Sequence, residues 1–115
     1  MSGSVELDVR RERAAKNQSL FREVNERIGE LSAWATVPTF VCECTDERCD
    51  QRLPLTREEY ERIRSDSNSF FVVRGHEVDE IEQIVAVAKR YVVVAKLGRG
   101  GTVAADLDPR NHPPS

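Results

Sequence analysis

The chain has 115 residues, 39% of them hydrophobic and 32% charged, with aromatics at only 6%. That is one domain's worth of ordinary globular sequence, and it excludes a large aromatic core. The net charge of −3 comes with six bases against six acids over residues 1–31 and nine against twelve over residues 32–97. The absence of a basic block argues against a phosphate-contacting nucleic-acid surface.

No apolar run reaches the length of a membrane span, and the N-terminus is polar, without a signal peptide's apolar centre. The expectation is a cytoplasmic protein whose thiols stay reduced. A domain this small buries a modest share of its surface, and such domains often lean on a metal or on disulfides.

Residues 5–32 predict an amphipathic helix. Ala14, Asn17, Phe21, Val24, Ile28 and Leu31 recur at spacings of 3, 4, 3, 4 and 3, which sets them on one stripe. Glu12 with Lys16, Arg22 with Glu26 and Glu23 with Arg27 stand four apart on the remaining faces. The stripe serves either as a cover for the chain's own core or as a surface for a partner or a second copy. Asn17 on it would then fix the register of a paired helix. Residues 32–38 form a short loop, with Trp34 expected as a lid on the core.

Residues 39–97 predict the compact domain. Thr39 through Cys44 form a strand, and residues 45–50 a tight polar loop. Residues 51–55 are again extended. Thr56 and Glu59 have the spacing of a capping box opening a short helix, with Tyr60 and Ile63 on its buried side. Residues 70–73, 83–88 and 91–97 are β-branched and predict strands. The last two form a hairpin turning at Lys89 and Arg90. For residues 81–88 a helix is the alternative, because Val78, Ile81, Ile84, Val85 and Ala88 also fit a helical stripe. None of these strands alternates cleanly, which predicts a sheet covered on both faces, with the N-terminal helix as the second cover. Residues 98–115 are rich in Gly at the start and Pro at the end and predict a flexible tail.

The chemistry lies in the cysteines. Cys42 and Cys44 are two apart on a predicted strand, so both sulfurs face one side, and the following loop returns Cys49 to them. Three thiolates around one point suit tetrahedral zinc, which needs a fourth ligand. His76, directly after Gly75 at a break between elements, is the first candidate. His112 in the tail and the acids Asp46, Glu47 and Asp50 are the rivals. The odd count of three cysteines also fits metal better than disulfides.

Phe40-Val41-Cys42-Glu43-Cys44, Cys49, Leu53 to Leu55, Glu59-Tyr60, Phe70-Phe71, Gly75-His76 and Tyr91-Val92-Val93-Val94 together resemble a family of small uncharacterised actinobacterial proteins. The resemblance spans residues 10–97 and includes the helix motif Phe21-Arg22-Glu23-Val24-Asn25-Glu26. It implies a small zinc-binding domain and carries no activity with it.

The expected fold is α+β, a long N-terminal helix plus a small zinc-stabilised antiparallel sheet domain with one short helix. A shell closed by Cys42, Cys44, Cys49 and His76 leaves no position for an activated water, and no other catalytic set stands out. The expected function is a protein-interaction or regulatory module, not an enzyme, with a protein partner or a second copy on the N-terminal helix. The alternatives are a nucleic-acid-binding zinc domain, with Arg57, Arg62 and Arg64 as its local basic grouping, and a thiol-based redox or zinc-responsive switch.

Overall fold

The computed structural model describes residues 2–111 and has an α+β architecture. Helix α1 (Ser2–Leu31) precedes a hairpin of β1 (Thr39–Val41) and β2 (Arg52–Pro54). Helix α2 (Arg57–Arg64) then leads into β3 (Ser69–Val73), β4 (Glu82–Val87) and β5 (Tyr91–Lys96), and α3 (Arg99–Asp106) and a 3-10 turn (Pro109–Asn111) follow. The second sheet is antiparallel in the order β3-β5-β4. Residues 81–88 are thus strand at their centre, as the β-branched content predicted. One extra residue, Val85, makes a bulge between Ile84, opposite Val94, and Ala86, opposite Val93.

Both faces of β3 and β5 are covered. On one side Phe70, Val72, Val92 and Val94 pack with Ala15 of α1, Val103 and Ala104 of α3, and Cys42 and Cys44. On the other, Phe71 packs with Phe40, Leu53, Leu55, Tyr60 and Ile63. The rings of Phe40 and Tyr60 stack at 4.3 Å. β4 departs from the expectation of a two-sided cover: Ile84, Val85 and Val87 are 41, 53 and 63% exposed. The capping box of α2 forms as predicted, Thr56 Oγ1 accepting from Glu59 N and Glu59 Oε1 accepting from Thr56 N, both at 3.0 Å.

Helix α1 packs by a different face from the predicted stripe. Its buried residues are Ala14, Ala15, Gln18, Ser19, Arg22 and Asn25, while Val24 and Leu31 are 46 and 78% exposed. The reason is what the helix lies against. It crosses strand ends and loops whose backbone groups need partners, and long polar side chains supply them. Arg22 donates to the carbonyls of Ser67 (2.7 Å) and Ala104 (2.8 Å) with its guanidinium 4.5 Å from the ring centre of Phe70. It makes no pair with Glu26, which is taken by Tyr60, Arg64 and Arg110. The predicted pair of Glu12 and Lys16 does form, at 3.4 Å.

Two further expectations fail. Trp34 is 86% exposed and lids nothing. The loop it occupies is held instead by Arg57, whose guanidinium donates to the carbonyls of Gly29, Ser32 and Ala35. Nor are residues 98–111 a tail. α3 packs along α1, and Asp108 is buried in an ion pair with Arg64 at 2.5 Å. The glycines that signalled flexibility permit close packing: a Cβ on Gly100 would stand 3.1 Å from the Arg11 carbonyl, and one on Gly101 3.0 Å from Asn68 Oδ1.

Candidate metal centre

The candidate ligands come from an extended segment with the loop that follows it, and from one turn. β1 continues past Val41 in an extended course, with Cys42 N donating to Gln51 O (2.9 Å) and Glu43 N to Phe71 O (3.0 Å). The segment thereby leaves β2 for β3 and carries Cys42 and Cys44 across the junction of the two sheets. Beyond it, Asp46 shapes the loop: its carboxylate accepts from Arg48 N (2.9 Å) and its carbonyl from Cys49 N (3.0 Å), which turns Cys49 back. The turn follows β3. His76 N donates to Val73 O at 2.9 Å, and Gly75 between them has φ of 94°, a left-handed conformation that suits glycine.

These segments bring the sulfurs of Cys42, Cys44 and Cys49 and a ring nitrogen of His76 within 4.8 Å of one another. His76 Nδ1 is 3.6 Å from Cys42 Sγ and 3.6 Å from Cys49 Sγ. With zinc–sulfur near 2.3 Å and zinc–nitrogen near 2.05 Å, a tetrahedral shell separates sulfur from nitrogen by about 3.6 Å. The donor set and its spacing therefore fit a metal ion such as zinc, with Nδ1 as the imidazole ligand. Asp46, Glu47 and Asp50 are not in the converging set, and His112 lies outside the described residues.

Cys42 and Cys44 are each 1% exposed and belong to the core cluster. Cys49 is half-buried at the rim. In the metal-free thiols the hydrogen bond from Cys42 draws Cys44 down to about 5, against the effect of burial. The same bond, with burial, pushes Cys42 up. Burial raises Cys49. The backbone N–H of Val73 also donates to Cys42 Sγ, at 3.2 Å.

Sequence reasoning missed the groups that hold this strand in place. Glu43, between the two cysteines, is fully buried. Its carboxylate accepts from Phe71 N (3.2 Å) and from Asn25 Nδ2 (2.9 Å). Burial raises it to about 7, and these bonds hold it back. Asn25 also grips the backbone of Val41, Nδ2 to O and N to Oδ1, both at 2.8 Å. Gln18 Nε2 donates to Glu43 O at 2.9 Å and to Glu82 Oε2 at 3.2 Å, where Glu82 is paired with buried Lys96. The signal in the sequence was the spacing of Gln18, Arg22 and Asn25, four and three apart, which sets three polar side chains on one face in the middle of α1.

No protein family matches the chain, and no curated protein or solved structure is significantly similar to it.

Proposed function

We propose that this chain is a zinc-stapled protein-interaction or regulatory module, with Cys42, Cys44, Cys49 and His76 as the complete ligand shell of one structural zinc. The observation that carries this reading is the 3.6 Å spacing of His76 Nδ1 from two of three converging sulfurs. Four protein ligands fill a tetrahedral shell and leave no position for water, the arrangement of structural rather than hydrolytic zinc. No helix among the described residues is long and apolar enough to cross a membrane, in keeping with a cytoplasmic setting for the thiolates.

The binding surface we assign to a protein partner is the outer face of α1, where Leu20, Val24 and Leu31 are exposed, with Trp34 just beyond. The basic grouping favours protein over nucleic acid as the partner. Arg57 clamps the loop after α1 and Arg64 is buried against Asp108, so only Arg62 of the three faces outward.

Native mass spectrometry tests the metal reading. The wild type should carry one zinc per chain, lost on strong chelation, and His76→Ala should hold it far more weakly. A metal-free chain with three titratable thiols and an intact fold would sink the proposal. Cys49, the one sulfur not buried, favours a second reading in which oxidation starts there and ejects the metal. Mild peroxide should then release zinc from the wild type; release only under harsh oxidant removes that reading.

A further inference from the structure

We propose that two copies of the chain associate through the outer edge of β4, pairing antiparallel across a two-fold axis and joining two three-stranded sheets into one. This surface is separate from the face of α1 and independent of the metal.

β5 occupies one side of β4, and among the described residues no strand occupies the other. An edge strand turns alternate N–H and C=O groups outward and is a template for another strand. Proteins commonly guard such edges with charge, proline or a bulge. β4 carries one charge, Glu82, which is turned inward to Lys96, and no proline, so along residues 83–88 the bulge at Val85 is the guard that remains. Past Gln83, which lies opposite Ala95, the edge is apolar: Ile84 and Val87 lie opposite Val94 and Val92 on one face of the sheet, and Ala86 opposite Val93 on the other. A groove of about 320 Å³ adjoins it, with Ile63, Val85, Tyr91 and Val93 in its lining.

Charge selects a second copy as the occupant. Glu77, Asp79 and Glu80 precede the strand, and Lys89 and Arg90 follow it. Arg10 meets Glu80 at 2.6 Å and offsets part of the acidic end. An antiparallel copy sets each acidic end against the other's basic end, whereas a parallel copy sets like against like. Two-fold pairing of one patch with itself is also the commonest form of self-association.

The test is the solution mass of the full zinc-loaded chain by light scattering across a wide concentration range, at low and high salt. The mass should approach twice the 13.0 kDa of one chain and fall back to a single chain with Val85→Lys. The doubly reversed variants Lys89→Glu/Arg90→Glu and Asp79→Lys/Glu80→Lys should each be monomeric, yet form one-to-one dimers when mixed. Circular dichroism and zinc content matching the wild type separate lost association from lost folding. A wild type that stays monomeric overturns the proposal. So does a dimer that survives Val85→Lys and is abolished instead by Leu20→Lys/Val24→Lys on α1, or reversed variants that do not pair on mixing.

Discussion

At the scale of single residues, Asn25 is worth more than its chemistry in isolation indicates. A free asparagine amide exchanges hydrogen bonds with water at little gain. Buried here, it satisfies both backbone groups of Val41 and one oxygen of Glu43. Removing one partner from a buried pair leaves the other with its desolvation penalty, about 1–3 kcal/mol per group. Asn25→Ala should therefore cost on the order of 3 kcal/mol in urea unfolding with zinc saturating. Asn25→Asp should be worse, since it aims a carboxylate at Glu43 and at a carbonyl. Equal stability of wild type and Asn25→Ala would mean that α1 is not held at this point. Gly75 makes a smaller case: at φ of 94° any substitution strains the turn that presents His76, though no atom stands within 4 Å of where a Cβ would be.

At the scale of elements, the C-terminal segment is a lock. Arg64 of α2 is fully buried and donates to both oxygens of Asp108 and to Glu26 of α1. Arg110 adds bonds to Glu26 and Glu61. Breaking one partner of a buried pair typically costs about 3–5 kcal/mol, because the remaining charge stays buried. Asp108→Ala should show a loss of that size, and protease should cut the chain earlier after residue 98. Acid should open the same lock. Burial alone would raise Asp108, but the bonds from Arg64 and from Arg110 N prevail and hold it below its usual 3.8. Glu26 is likewise raised by burial and brought net below 4.5 by Arg110, Tyr60 and Arg64. A folded-state value below the unfolded one gives stability that is present above the unfolded pKa and lost as pH falls through the folded pKa. Stability should thus decline from about pH 4.5 downward, and Asp108→Asn should flatten that decline in a urea series against pH. An unchanged slope would locate the acid sensitivity elsewhere.

At the scale of the whole molecule, the four candidate ligands stand where the β1–β2 hairpin meets the three-stranded sheet. Cys42 and Cys44 leave the β1–β2 hairpin, Cys49 closes its loop, and His76 sits at the end of β3. A metal there ties the hairpin to the three-stranded sheet, and through Glu43 it ties both to α1. Metal binding that requires the folded geometry contributes directly to folding. Chelation should raise hydrogen exchange in residues 40–52, in residues 74–77 and in the middle of α1, while β3 and β5 stay protected by Phe70, Phe71, Val92 and Val94. Uniform exchange across the chain would instead show that the metal holds up the entire fold. No change on chelation would make the cluster irrelevant to stability.

What the amino-acid sequence determined by itself was whatever depends on near neighbours along the chain. Cys42 and Cys44 share a side because strand side chains alternate, and Thr56 and Glu59 cap α2 because a helix start brings them together. Lys89 and Arg90 turn the hairpin because β-branched runs flank them. His76 could be named because a glycine break precedes it. Only the tertiary structure decided which face of α1 is buried. That face is chosen by unpaired backbone groups of Val41, Glu43, Ser67 and Ala104, far away in sequence, and they favour amides and a guanidinium over Val24 and Leu31. The same holds for residues 98–111, where glycines that look flexible in sequence allow α3 to pack closely against α1, and where Asp108 meets a partner 44 residues earlier. Burial of ionic groups is set by partners distant in the chain, and local pattern carries no record of them.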